Sequence, residues 1–471
     1  MLYISTRGEA PRLPFDDVLL SGLARDGGLY LPDHWPRFDA ATLRSFAGKP
    51  YAEVAAEVLR PFLPDSVAAD VIDRLTARAY ARFGHAATCP LVQLDPGTWV
   101  QELFHGPTLA FKDLALQLLG DLFEHVLAAR GERITIIGAT SGDTGSAAIE
   151  ACRDRERIDI VMLHPAGRVS EVQRRQMTTV DAANVHNVAL DGTFDDCQAA
   201  VKALFADTEL REDCGLAAVN SINVARILAQ AVYYITAGVA LGAPDRPVAF
   251  SVPTGNFGNV YAGYMAAQMG LPVERLIVGS NSNDILTRFL DEGAMDARGV
   301  VATRSPSMDI QVSSNFERLL FDLLDRDGAA VKTRMQRFRE TGSLDVPATA
   351  WRAARDIFAG ARCDDDATLA EIARVHREAG MLVDPHTAIG IAAARDRRPA
   401  DSIPVVSLAT AHPAKFPDAV EQATGERPAL PDRLAGLYDW PEHASELPND
   451  LDTLRAFVRA RSRAAAARPA G

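Results

Sequence analysis

From about residue 93 the chain repeats one unit: a short apolar run, a turn rich in glycine and hydroxyls, then a helix. Residues 132–138 (ERITIIG) read as a strand that ends in the turn 139–146 and opens into a helix over 146–153. Further strands fall at 158–163, 184–190, 276–279 and 403–408. A strand at 247–252 enters a second glycine turn, 253–259, and a helix at 259–269 leaves it. Helices are expected at 195–205, where Asp195 and Asp196 suit the positive N-terminal end, and over the long apolar stretch 222–241. Buried apolar strands alternating with helices require an α/β architecture with a mainly parallel sheet.

The flanks read differently. Residues 25–32 suggest a turn with a short extended piece, and 51–60 and 66–83 show helical spacing, broken between them by Pro61 and Pro64. Residues 290–380 carry many charges at helical periodicity, and the stretch after about 430 reads as a helix fraying into a tail. The expected organisation is a mainly helical N-terminal domain (1–92), two α/β lobes (93–240 and 241–430) and a C-terminal helical tail (431–471).

A net charge of −13 excludes a general binder of nucleic acid or anionic membranes. An anionic ligand must then be met by local donors such as loop amides and helix N-termini. No segment approaches the ~18 uncharged apolar residues that span a bilayer. Residues 1–8 lack the pattern of a secretory signal. Five scattered cysteines without a C-x-x-C pair argue against a zinc site or a disulfide framework and for a reducing compartment. The expected location is the cytoplasm.

The chain has five lysines, at 49, 112, 202, 332 and 415, among 49 basic residues. Lysine can become a neutral nucleophile, which arginine cannot. Lys112 lies in the apolar run ELFHGPTLAFKD (102–113), where Phe104, Leu109, Phe111 and Leu114 can lower its pKa by desolvation. A lysine at a helix start, paired with Asp113 or Glu102, is the plainer reading. The turn Ala-Thr-Ser-Gly-Asp-Thr-Gly-Ser (139–146) offers amides and the hydroxyls of Thr140, Ser141, Thr144 and Ser146 to a carboxylate or phosphate. Asp143 repels anions and is better suited to face a cofactor's phenolic oxygen in a proton-sharing arrangement, or to cap the helix. In Pro-Thr-Gly-Asn-Phe-Gly-Asn (253–259), the amides from Gly255 through Asn259 can wrap an anion, with Gly255 and Gly258 allowing close approach. This is neither a P-loop nor G-x-G-x-x-G, and a plain strand–turn–helix joint remains open for both turns. Thr410 ends the strand at 403–408 with a hydroxyl able to meet a pyridine nitrogen. His105, His386 and His412 beside proline turns read as structural, with Asp384 capping a helix before 388–394.

Together with YISTRG (3–8), DGGLYLP (26–32), PSMDIQVSSNFE (306–317) and ATAHPAKF (409–416), these segments resemble the threonine synthase family in its longer bacterial and fungal form. The resemblance implies a pyridoxal-phosphate enzyme of fold type II, the tryptophan synthase β-like fold, with two parallel-sheet lobes and the cofactor between them. It implies that Lys112 forms the Schiff base and that Gly255, Asn256, Phe257 and Asn259 hold the cofactor phosphate. Thr410 would face the pyridine nitrogen, and Thr140, Ser141, Gly142, Asp143 and Thr144 would lie near the substrate. Many relatives of this fold carry Asn where Asp143 stands, which leaves its role open. The implied reaction takes O-phospho-L-homoserine and water to L-threonine and phosphate by γ-elimination and β-addition of water, the last step of threonine biosynthesis. No metal, nucleic acid or membrane partner is implied, and the chain is expected to be a monomer or homodimer. Competing readings are a threonine synthase-like phospho-lyase releasing 2-oxobutyrate, a serine/threonine dehydratase or sulfhydrylase, and a non-catalytic α/β ligand-binding protein.

Overall fold

Val248–Pro253 is buried at every position, as a strand covered on both faces must be. It lies near the middle of a six-stranded sheet in a computed structural model that describes residues 1–64, 67–219 and 221–466. The sheet order is Phe358–Arg362, Val273–Ser280, Val248–Pro253, Val405–Ala409, Thr98–Glu102 and Leu91–Asp95. All neighbours are parallel except the last pair, an antiparallel hairpin at the edge. This sheet belongs to a unit formed by Met1–Val18, Leu23–Phe111 and Ser221–Pro428.

The other unit comprises Leu19–Gly22, Lys112–Asn220 and Ala429–Gly471. Its five-stranded sheet is parallel throughout, in the order Ser445–Leu447, Val185–Leu190, Ile158–Pro165, Ile134–Ala139 and Leu216–Ala217. Helix Lys112–Arg130 packs against helix Asp143–Cys152 so closely that a Cβ on Gly120 would lie 2.3 Å from Ala151 O. From Asp113 to Phe123 that helix is buried on every side, so its sequence shows no polar face. One of its buried polar groups, Asp121, forms an ion pair with Arg155 from beyond the helix.

The strands expected from the sequence form with ends moved by a residue or a few, and the mainly parallel α/β reading holds. The N-terminal helices also form, as Tyr51–Leu59 and Ala69–Tyr80; Ser66, where the second was expected to begin, lies outside the described residues. Tyr30–Pro32 is the extended piece anticipated after the 25–29 turn, and it pairs antiparallel with Tyr3–Ser5. Several strands, Thr98–Glu102 and the following three among them, had no clear sequence signal. Leu91–Asp95 and Ser445–Leu447 are partly exposed edge strands, and Phe358–Arg362 is mostly small residues among charged helices. The C-terminal stretch contributes helices Leu451–Arg461 and Arg463–Ala466; residues 467–471, the expected tail, lie outside the described residues. Among the described residues no helix is long and apolar enough to cross a membrane.

Candidate active site

Strands Thr98–Glu102, Val405–Ala409 and Val248–Pro253 are adjacent and parallel, with Glu102 opposite Ala409 and Ser407 opposite Ser251. Their carboxyl ends therefore lie side by side, which is where parallel α/β sheets bind ligands. Three of the sequence-selected segments leave this edge: 103–111, 410–416 and 254–259. The first two are tied together by Leu103 N–H to Ala409 O (3.0 Å), Phe111 N–H to Thr410 O (2.8 Å) and His412 N–H to Leu109 O (3.0 Å). Buried Lys415 donates to Thr108 O (2.8 Å). Thr410 is itself buried, with its backbone carbonyl engaged by the residue that precedes Lys112.

The 254–259 turn is a cradle of amides. Phe257 takes a left-handed conformation (φ 64°) and ends the turn where helix Gly258–Gln268 begins. The amides of Gly255 through Asn259 find no acceptor among the described residues, as expected at a helix start. A Cβ on Gly255 would sit 2.9 Å from Ser307 O and 3.2 Å from Met308 Cα, so any other residue displaces backbone. Asn259 carries the most informative side chain. Its Oδ1 accepts from Tyr233 (2.6 Å) and Tyr234 (2.8 Å), while its buried Nδ2 has no partner among the described residues. Burial holds both tyrosines well above the usual phenol pKa, so they remain donors and fix the amide's orientation. A buried, oriented donor beside five free amides suits a phosphate.

In the other unit Lys112 begins its helix and Asp143 begins the next, and Lys112 Nζ lies 3.2 Å from Asp143 Oδ2. Both side chains are nearly buried, at 12% and 6% exposure. The second carboxylate oxygen accepts from Gln173 Nε2 (2.8 Å), and Gln173 Oε1 accepts in turn from Ser170 (2.8 Å). Asp143 thus faces the Lys112 amine, a partner the sequence reading did not anticipate. Gly142 has φ 146°, and a Cβ there would come within 2.4 Å of the Gln173 amide. Thr140 Oγ1 accepts from Gly142 N–H and Gly145 N–H, each at 2.9 Å, which gives the turn its shape. Ser146 donates back to Asp143 O (3.2 Å), so its hydroxyl serves the helix rather than an anion. Ser141 and Thr144 keep hydroxyls without a partner among the described residues, Ser141 exposed and Thr144 half-buried.

The histidines behave structurally. His105 pairs with Glu102 (2.7 Å), His386 with Asp384 (2.6 Å), and His412 accepts from Ala414 N–H (3.1 Å). Asp384 caps its helix through His386 N–H and Thr387 N–H. Sequence reasoning missed Gln173, Tyr233 and Tyr234. Gln173 stands on a helix with no motif, and the tyrosine pair is hidden in a helix that is apolar all round.

Residues 84–410 match the family described as "Pyridoxal-phosphate dependent enzyme", and the chain is an enzyme of that cofactor class; the amine of Lys112 and, in the other unit, the donors of the 254–259 turn are each of a kind that such a cofactor uses. Residues 2–80 match "Threonine synthase N terminus" and residues 387–458 match "Threonine synthase, C-terminal". The threonine synthase of Pseudomonas aeruginosa is 56% identical over 459 residues, covering 97% of this chain and 98% of its own. That of Corynebacterium glutamicum is 46% identical over 473 residues, covering 97% and 98%. The crystal structure of PLP-bound threonine synthase from Brucella melitensis superposes with a TM-score of 0.97 at 53% identity, covering 98% of this chain and all of that one (100%). The chain belongs to the threonine synthase family, and its fold is that of fold type II pyridoxal-phosphate enzymes.

Proposed function

We propose that the chain converts O-phospho-L-homoserine and water to L-threonine and phosphate. The observation that carries this reading is Lys112: a nearly buried amine at a helix start, 3.2 Å from Asp143, in a chain similar over its whole length to threonine synthases.

The roles follow from the donors and acceptors. Lys112 Nζ would hold the cofactor at its aldehyde, and Thr410 Oγ1 would face the ring nitrogen. The Gly255, Asn256, Phe257 and Asn259 amides, with Asn259 Nδ2, hold the cofactor phosphate. Pyridoxal phosphate, when bound, supplies the electron sink that makes a proton beside the substrate amino group removable. Lys112 Nζ would accept the proton from the substrate Cα and shuttle the proton at Cβ. Asp143 Oδ2 aims the amine and balances its positive charge, while Gln173 keeps the carboxylate from turning away. Thr140, Ser141, Gly142 and Thr144 form the turn against which the substrate carboxylate lies. Phosphate leaves from Cγ and water adds at Cβ, so the carbon skeleton keeps its oxidation balance.

Five buried cysteines outside any disulfide support a reducing compartment, and we read the enzyme as cytoplasmic and as a monomer or homodimer. The deciding experiment is product analysis with O-phospho-L-homoserine and cofactor-loaded protein. Threonine and phosphate in equal amounts are expected; 2-oxobutyrate in place of threonine would make it a phospho-lyase instead.

A further inference from the structure

The stretch PSMDIQVSSNFE (306–317) is distinctive in the sequence, yet none of its side chains has a role in the reaction described above. It packs against the 254–259 turn. Ser313 Oγ donates to Gly255 O (2.8 Å), Asn315 N–H donates to Asn256 O (3.1 Å), and Ser314 Oγ donates to Asn256 Oδ1 (3.2 Å). In a planar trans peptide the C=O and the N–H point in opposite directions. Holding the carbonyls of Gly255 and Asn256 on one side therefore turns the amides of Asn256 and Phe257 to the other. The backbone at Ser307 and Met308 forms the wall against Gly255, which leaves no room for the turn to rotate back.

The segment is in turn fixed by one carboxylate. Asp309 Oδ1 accepts from Asn281 Nδ2 (2.8 Å), Asn283 Nδ2 (3.0 Å) and Thr303 Oγ1 (2.6 Å), and Oδ2 accepts from Thr303 N–H (2.9 Å). Asn281 and Asn283 follow directly on strand Val273–Ser280, so the rigid sheet holds Asp309 and Asp309 holds the turn Pro306–Met308. Four donors converging on one carboxylate cannot be met by a neutral side chain of the same shape.

We infer that Asp309 and Ser313 are positioning residues that aim the amides of the 254–259 turn at the cofactor phosphate. This rests on the reading of that turn as the phosphate cradle. It assigns to Asp309 and Ser313 an effect on the phosphate end of the cofactor and none on its ring.

The test compares pyridoxal phosphate with pyridoxal, which lacks the phosphate, as ligands of the full-length protein in equilibrium titrations. Ser313→Ala should raise the dissociation constant for pyridoxal phosphate about fivefold, and Asp309→Asn about tenfold or more, in keeping with the loss of one or several hydrogen bonds. The constant for pyridoxal should move less than about twofold, because the ring-binding groups are untouched. Equal weakening of both ligands, or of neither, overturns the inference. If Asp309→Asn fails to fold, Ser313→Ala, which removes one oxygen, decides alone. Wild-type protein that binds the two ligands equally well would instead remove the phosphate-cradle reading on which the inference stands.

Discussion

Lys112 and Asp143 start two different helices, and each reaches the other only because both side chains project from a first turn. In the proposed function this amine both holds the cofactor and moves protons, so its loss should be severe. Lys112→Ala is expected to lose the visible absorbance of the lysine-bound cofactor and to lower kcat/KM by about 10⁴-fold or more. Retention of that absorbance would move the attachment to another residue. Gly255 is constrained by space rather than chemistry. Gly255→Val would push its side chain into the backbone at Ser307 and Met308, and titration should show cofactor affinity reduced about tenfold or more. Of these residues, Lys112, Gly255, Asn259 and Thr410 lie in segments that the sequence already singled out as candidates. Gln173 and the two tyrosines were not singled out, because their importance lies in partners 30 and about 25 residues away.

The helices around the lysine pack more tightly than their sequence suggests. Helix Lys112–Arg130 is apolar or buried on nearly every face, so its position cannot be read from an amphipathic stripe. Gly120 marks where it meets helix Asp143–Cys152. A side chain there would strike Ala151 O, and Gly120→Val should lower stability by about 1–3 kcal/mol in thermal or urea unfolding. Because the two helices carry Lys112 and Asp143, activity should fall with it. A variant as stable as the parent would show that the helices can part without strain. The turns at 139–146 and 253–259 were readable as strand–turn–helix joints. Their difference was not: the first uses Thr140 to satisfy its own amides, the second leaves its amides open.

At the scale of the molecule, two mainly parallel sheets are assembled from stretches far apart in the chain, and several ionisable groups are buried among them. His164, at the end of strand Ile158–Pro165, has its imidazole held below the usual histidine pKa by burial and then by the nearby Arg174 charge; His186 is lowered by burial as well. A group with a depressed folded pKa binds protons more readily when unfolded. Its contribution is complete above about pH 6.5 and is lost as the pH falls toward the folded value. The melting temperature should therefore drop between pH 7 and pH 5.5, and His164→Gln should show a shallower drop; equal slopes would exclude this histidine as a source. The amino-acid sequence alone determined the alternation of strand and helix, the two glycine turns and the choice of Lys112, because backbone conformation and side-chain chemistry are local properties. Only the tertiary structure decided that Phe358–Arg362 and Ser445–Leu447 join the sheets, that Asp143 meets Lys112 and that residues 303–315 hold the 254–259 turn. Those facts depend on contacts between distant stretches, which chain entropy opposes and only the packed core selects.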